Sequence, residues 1–180
     1  MKQQLRTQEG FNRNNLDHHM IFCILDTACS YPKVCEAFNA LKSYGLITRK
    51  SLKKSNQEEL LTILTEVGYR WANQKAYYLM DFAHNRINLK TATRKQLVGS
   101  ILGVGMKLAS MFLRNTRGED FAVMDIHTKD WLYSQLFNKG IKRNSLSYEE
   151  EEKWFKKLAK SHARTTAQLD YDIWNYRRKK

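Results

Sequence analysis

Lys107 and Asp125 are the two residues whose types and positions predict a chemical reaction. Lys107 follows a turn that contains Gly103 and Gly105, and Asp125 follows an apolar run that ends at residue 124. A primary amine can attack an electrophilic carbon to form a covalent intermediate such as a Schiff base. A carboxylate can stabilise positive charge that develops as a bond breaks, and it can move protons. The pair therefore makes covalent chemistry by the lysine, assisted by the aspartate, a candidate function.

The turn before Lys107 is predicted to join two helices into a hairpin at about residues 93–115. Gly103 and Gly105 permit a tight turn, and the backbone amides at the start of the second helix point outward. Such amides bind a phosphate without reading bases, so both glycines are expected to contact DNA. Asp125 lies 18 residues beyond Lys107, which leaves room for a helix and a returning loop.

Each of the two residues also has a simpler interpretation. An ammonium group cannot attack, so Lys107 must lose its proton through partial desolvation or neighbouring positive charge. A lysine after such a turn often only holds a phosphate, and hairpins of this type occur in DNA-binding domains that are not enzymes. An aspartate before a helix commonly serves as its N-cap. Both alternatives remain open from the sequence alone.

The charge of the chain favours a polyanionic partner. The 180 residues include 31 lysines and arginines against 18 aspartates and glutamates, for a net charge of +13. Nucleic acid is the commonest partner of such a surface, although a solvated basic surface without a partner has the same composition. No long apolar stretch or lipidation signal indicates a membrane, and no secretory signal is visible, so an intracellular protein is expected.

The three cysteines do not indicate a metal centre or a disulfide framework. Cys23, Cys29 and Cys35 lie six residues apart in one early segment, and this spacing matches neither kind of site. In a reducing compartment they are expected to remain thiols and to fill small spaces in the core.

The pattern of apolar residues predicts an all-α fold. One proline and eight glycines interrupt the chain, and apolar residues recur three and four positions apart. Caps and spacing predict helices over residues 16–26, 31–43, 56–67, 73–85, 93–102, 106–115, 125–138, 148–163 and 166–178.

Four stretches in order along the chain carry a family resemblance. They are residues 22–25, 67–78, the hairpin through 112–115 with Asp125, and 169–174. The sequence resembles the helix-hairpin-helix (HhH-GPD) DNA glycosylase superfamily, and more narrowly the type 2 8-oxoguanine DNA glycosylase/AP lyases. The resemblance implies a single glycosylase unit over residues 1–180, built of two helical lobes with the active site in the cleft between them.

The implied activity is that of a bifunctional enzyme of base excision repair. Lys107 would attack C1′ of an 8-oxoguanine nucleotide in duplex DNA and then support β-elimination, with Asp125 assisting. A monomer acting on damaged duplex DNA is expected. Two alternatives remain, namely a non-catalytic DNA-binding module and the same chemistry on another lesion, such as an oxidised pyrimidine or an alkylated base.

Base recognition is expected near the C-terminus. The resemblance assigns Asp170, Trp174 and Lys180 to the pocket for the flipped base. A separation of four residues places Asp170 and Trp174 on one helical face, and an aromatic plane with a hydrogen-bonding group suits an extruded purine. An amphipathic terminal helix that packs Trp174 into the protein core and is followed by a basic tail would give the same pattern.

Further DNA contacts are predicted at two other places. Arg70, Asn73 and Lys75 lie at the start of a predicted helix, where amides and basic side chains can hold phosphates. Arg114, near the end of the hairpin helix, could do the same or pair internally. Aromatic residues interleave with this charge. Core packing is one interpretation of them, and insertion of one ring into the gap left by an extruded base is the other.

The resemblance implies no organic cofactor and no metal held by side chains. Some members of the superfamily carry an iron-sulfur loop after the aspartate, but no cysteine follows Asp125. A monovalent cation at the hairpin carbonyls near Ile101 and Val104 is expected from the superfamily. The chain departs from the family at Leu102, which should be tolerated because the turn depends on the glycines. It also departs over residues 26–30, which concerns lesion preference more than the reaction.

Overall fold

The computed structural model describes residues 15–178, in which every regular element is a helix. The α-helices are α1 Leu16–Leu25, α2 Tyr31–Ser43, α3 Arg49–Leu52, α4 Gln57–Glu66, α5 Ala72–His84, α6 Arg94–Ser100, α7 Met106–Arg117, α8 Ile126–Leu136, α9 Tyr148–Ser161 and α10 Thr166–Arg178. A short 3₁₀ helix, Phe137–Lys139, follows α8. The predicted all-α fold is confirmed for this part of the chain.

The nine predicted helices are present, with ends that differ from the predicted ones by no more than two residues. Helix α2 coincides with its prediction, and α6 is shorter at both ends because Thr93 is its N-cap and the chain turns after Ser100. Helix α3 was missed because four residues are too few to show a period. Its local signal is a capping box between Thr48 and Ser51.

Residues 15–112 form one compact unit, which we call the N-terminal unit. Helix α5 packs against α1, α3 and α4, while α2 packs against α1 and α4. Fully buried apolar side chains such as Ile21, Leu64, Leu79 and Phe82 fill the space between these helices. Their burial removes apolar surface from water and supplies the main stabilisation of this unit.

Residues 113–178 form a second compact unit, which we call the C-terminal unit. Helices α8, α9 and α10 pack against one another. Their buried contacts are a cluster that includes Leu132, Phe155, Leu169 and Ile173. The boundary between the two units falls inside α7, so Lys107 belongs to the N-terminal unit and Asp125 to the C-terminal unit.

Within residues 15–178, no helix combines the length and the apolar character needed to cross a bilayer. The same residues contain no group of three or more histidine, cysteine, aspartate or glutamate side chains placed to hold a metal ion. The three cysteines are free thiols, with Cys23 buried and the other two partly exposed.

Candidate functional site

The helical hairpin that carries Lys107 is formed by α6 and α7. The side chains of Thr93 and Gln96 cap the start of α6 reciprocally, each accepting a hydrogen bond from the other residue's backbone amide. The Arg94 Nη1 group donates to Ser110 Oγ at 3.2 Å and joins the two helices. These contacts fix the turn, residues 101–105, from both sides.

Gly103 meets two requirements of the hairpin turn that another residue would not meet. Its φ of +78° lies in the left-handed region, which L side chains rarely adopt. The Tyr78 ring also packs so closely against it that an added Cβ would overlap ring carbons. A Cβ added at Gly105 would meet open space, so packing does not require a glycine there, and its phosphate contact stays a prediction.

Lys107 lies in the first turn of α7, and its side chain is 34% exposed. Its Nζ donates a hydrogen bond to Asp26 Oδ2 at 3.1 Å. Asp26 is the C-cap residue of α1, and its backbone amide donates to the carbonyls of Phe22 and Cys23. The amine expected to attack a sugar is thus accessible and is held by one carboxylate.

Asp26 is a residue that the sequence analysis did not assign to the site. The C-terminal end of a helix carries partial negative charge, so an aspartate there is electrostatically unfavourable unless cations lie nearby. Lys107 and Lys75 are the cations at this end of α1. An acidic residue at the end of the helix predicted over residues 16–26 was therefore the available signal.

The predicted phosphate contact at Lys75 was wrong. The residue is only 1% exposed, and its Nζ donates to the carbonyl of Ile24 at 2.7 Å. Burial lowers the pKa of Lys75 to about 8, against the opposing influence of Cys29 and Asp26. The ammonium also lies 5.4 Å from the centre of the Tyr78 ring. Lys75 therefore stabilises the C-terminal end of α1 instead of facing DNA.

Asp125 is the N-cap of α8, as the simpler interpretation of this residue had allowed. Its Oδ1 accepts a hydrogen bond from the Thr128 amide at 2.8 Å. A carboxylate can accept several hydrogen bonds, so the cap orients the group without exhausting its capacity. The capping role and the predicted catalytic role are therefore compatible.

The loop that leads into Asp125 is held by side chains of α9. The Ala122 amide donates to Glu152 Oε1 at 2.9 Å, and the Met124 amide donates to the Tyr148 hydroxyl at 3.3 Å. The same hydroxyl donates to the Ala122 carbonyl at 3.1 Å. These bonds satisfy backbone groups that have no helical partner, and they fix the approach to Asp125.

Asp170 and Arg114 lie in the interior of the C-terminal unit and do not face solvent as expected for DNA contacts. Arg114 Nη1 donates to Asp170 Oδ2 at 2.8 Å, and Thr128 Oγ1 donates to Asp170 Oδ1 at 3.0 Å. Asp170 is only 4% exposed. Asp170 and Arg114 therefore pair with each other, which corrects the predicted contacts of Asp170 with a flipped base and of Arg114 with a phosphate. Internal pairing was one of the two interpretations that the sequence left open for Arg114.

The other residues that were predicted to bind the base or DNA differ in their exposure to solvent. Trp174 is partly buried on α10, and Lys180 lies outside the described residues. Arg70 and Asn73 are exposed at the start of α5, and the Arg70 guanidinium lies 4.9 Å from the centre of the Trp71 ring. Trp71 and Tyr77 are exposed aromatic residues on the same segment. Exposed charge and exposed rings therefore occur together at Arg70, Trp71 and Tyr77, and the buried Lys75 is not part of this surface.

Comparisons with known proteins place these residues in a family context. A family profile described as 8-oxoguanine DNA glycosylase matches residues 2–164. An 8-oxoguanine DNA glycosylase/AP lyase from Metallosphaera sedula is 30% identical over 86% of this chain and 78% of its own length. A protein of the same name from Thermoplasma volcanium is 29% identical over 91% of this chain and 82% of its own length.

Solved structures show the same similarity in three dimensions. The 8-oxoguanine glycosylase/lyase of Methanocaldococcus jannaschii, solved with a 15mer DNA containing 8-oxoguanine, has a TM-score of 0.74 and 25% identity. That alignment covers 96% of this chain and 84% of the other. The 8-oxoguanine DNA glycosylase of Thermotoga maritima has a TM-score of 0.71 and 27% identity, over 92% of this chain and 81% of the other.

Proposed function

The chain belongs to the 8-oxoguanine DNA glycosylase family, and from this premise we propose that it is a bifunctional DNA glycosylase/AP lyase. Its substrate is duplex DNA that contains 8-oxoguanine, on which it acts as a monomer. The observation that carries the proposal is the position of Lys107, a partly exposed amine in the first turn of the second hairpin helix. The relatives named above support the choice of 8-oxoguanine.

The proposed reaction begins once Lys107 Nζ has given up a proton to solvent and is a neutral amine. Its lone pair forms a bond to C1′ while the bond from C1′ to the base breaks, and the base leaves with that electron pair and takes up the proton that Nζ then releases. The nitrogen lone pair next expels O4′ from C1′, O4′ takes up a proton from solvent, and the opened sugar is left with a protonated Schiff base between Nζ and C1′. Loss of a proton from C2′ expels the 3′ phosphate and cleaves the strand.

Asp125 and Asp26 have separate parts in this proposal. The Asp125 carboxylate stabilises the positive charge that develops on the sugar while the base departs. Asp26 accepts a hydrogen bond from the Lys107 ammonium at 3.1 Å before the reaction. Because the amine must be free to bond C1′, this contact must be given up when the damaged nucleotide is bound.

The hairpin and the start of α5 are proposed to hold the DNA backbone. The amides around Gly103 and Gly105 and the exposed side chains of Arg70 and Asn73 would contact phosphates. Each phosphate neutralised releases counterions, so a net charge of +13 predicts affinity that falls steeply with salt.

A monovalent cation at the hairpin remains a prediction. The Ile101 carbonyl accepts the Val104 amide at 3.2 Å, and a carbonyl oxygen has a second lone pair that could coordinate an ion. Bound there, a cation would stabilise the turn next to a phosphate. The reaction steps above do not depend on it.

A strand-cleavage assay on matched duplexes tests the proposed function. One duplex carries a single 8-oxoguanine and the other carries guanine at the same position, and each product is analysed with and without alkali. We expect cleavage of the 8-oxoguanine strand alone, and cleavage without alkali reports the lyase step. Equal activity on a panel of other lesions would contradict the assigned substrate, and no activity on any of them would favour a DNA-binding module.

A further inference from the structure

The C-terminal unit contains a buried chain of hydrogen bonds that ends at Asp125. Asp170 accepts hydrogen bonds from Arg114 at 2.8 Å and from the Thr128 hydroxyl at 3.0 Å, while the Thr128 amide donates to Asp125 at 2.8 Å. Thr128 therefore contacts both aspartates, one through its side chain and one through its backbone. This series of hydrogen bonds connects α7, α10 and the first turn of α8.

We infer that Asp170 and Thr128 are positioning residues for the carboxylate of Asp125. The inference rests on the proposed function, because it assigns them a part in the same reaction. Thr128 is 1% exposed, and a buried hydroxyl whose single proton is donated to Asp170 has one preferred orientation. That orientation fixes the first turn of α8, and the first turn fixes the amide that holds Asp125.

The geometry separates this role from direct recognition of the base. Both carboxylate oxygens of Asp170 already accept hydrogen bonds from within the unit. Reaching a ligand would require these bonds to break and would leave the buried Arg114 guanidinium without its partner. The Asp170 carboxylate is therefore better suited to hold Thr128 in place than to discriminate between bases.

The expected consequence is a loss in the rate of base release rather than in DNA binding. A carboxylate that stabilises a developing charge must be in place before the charge appears, and small displacements reduce its effect. Without the Thr128 hydroxyl, the Thr128 amide can still donate to Asp125. The first turn of α8, which carries this amide, has however lost its hydrogen bond to Asp170. We expect the maximal single-turnover rate to fall about tenfold, with little change in half-saturating DNA concentration.

The test compares three variants and a double-mutant cycle. Thr128→Val removes the hydroxyl at nearly constant volume, and Thr128→Ser restores it. Thr62→Val is the matched control, since the Thr62 hydroxyl donates to the Glu58 carbonyl on α4, in the N-terminal unit. Single-turnover release of the base is measured across DNA concentrations for each protein, and again with Thr128→Val in an Asp125→Asn background.

The inference predicts a specific pattern in these rates. Thr128→Val should be slow, Thr128→Ser should recover to within about threefold, and Thr62→Val should be unchanged. In the Asp125→Asn background Thr128→Val should cost less than about twofold, because residues that act through one group are not additive.

Three results would overturn the inference while leaving the proposed function intact. These are a normal rate for Thr128→Val, an equal loss in the Asp125→Asn background, and a loss confined to DNA affinity. A wild-type protein that releases no base from any duplex would overturn the proposed function and this inference together.

Discussion

The surroundings of Lys107 and Asp125 differ in how firmly they hold the functional group. In the N-terminal unit, Lys107 Nζ pairs with the Asp26 carboxylate, and both side chains are partly exposed. In the C-terminal unit, Asp125 is linked through Thr128 to a buried ion pair, and α9 side chains hold the loop before it. A nucleophile has to lose a proton and move toward its target, whereas a group that stabilises charge works best when fixed.

The largest effect is expected for Asp125→Asn. Asparagine caps a helix about as well as aspartate, so the fold should be retained while the negative charge is lost. Base release should slow by roughly 10²–10³, the usual consequence of removing one preorganised electrostatic group. Single-turnover kinetics and thermal unfolding measure the two quantities separately.

The control for this change is Asp172→Asn, which removes an exposed carboxylate from α10. It should leave both the rate and the stability close to those of the wild type. A near-normal rate for Asp125→Asn would leave Asp125 with the capping role alone.

The next largest effect is on stability, from Asp170→Ala. The change leaves the Arg114 guanidinium buried without its carboxylate and should lower the free energy of unfolding by about 3–5 kcal/mol. Urea unfolding measures it. Asp172→Ala, which breaks an exposed pair with Arg164, should cost less than about 1 kcal/mol. A similarly small cost for Asp170→Ala would mean that the buried network does not hold the C-terminal unit together.

Lys75→Met should change the pH dependence of stability in the N-terminal unit. Burial lowers the pKa of Lys75 to about 8, below the 10.5 expected in an unfolded chain. Between these values the unfolded chain binds more protons, so the wild type should gain stability as pH rises and Lys75→Met should lack that gain.

Urea unfolding at about pH 7.5 and about pH 9.5 should show a difference of about 1–2 kcal/mol between the two proteins. The exposed Lys53→Met is the matched control and should follow the wild type. Parallel pH profiles for wild type and Lys75→Met would indicate that Lys75 is not perturbed by burial.

The smallest effect is expected for Asp26→Ala on stability. Its pair with Lys107 is partly exposed, and pairs of this kind contribute less than about 1 kcal/mol. Comparison with Asp170→Ala by the same unfolding assay sharpens the contrast between the two regions. A loss as large as that of Asp170→Ala would show that Lys107 is held as rigidly as Asp125.

Local patterns were sufficient to predict the hairpin and nine of the ten α-helices of residues 15–178. Helix ends follow from caps such as Thr93 and Ser147, whose partners lie three residues away in the sequence. The glycine at position 103 marked the turn, and its φ of +78° confirms the conformational reason. These signals involve neighbours in the chain, which a single sequence displays directly.

Contacts between distant residues were not predictable in the same way. Lys75 was taken for a surface cation, but its partner is the carbonyl of Ile24, 51 residues earlier. Asp170 was assigned to base recognition, but its partners Arg114 and Thr128 lie 56 and 42 residues away. Glu152 on α9 likewise accepts a hydrogen bond from the Ala122 amide, 30 residues earlier. In each case a non-local partner decides whether the charge is buried.

Borohydride trapping on a duplex with one 8-oxoguanine tests the central claim, that Lys107 is the attacking amine. Reduction converts a Schiff base into a stable covalent link between protein and DNA. We predict an adduct with the wild type and with Lys95→Gln, an exposed lysine on α6, and none with Lys107→Gln. An adduct formed by Lys107→Gln at the wild-type level would contradict the account.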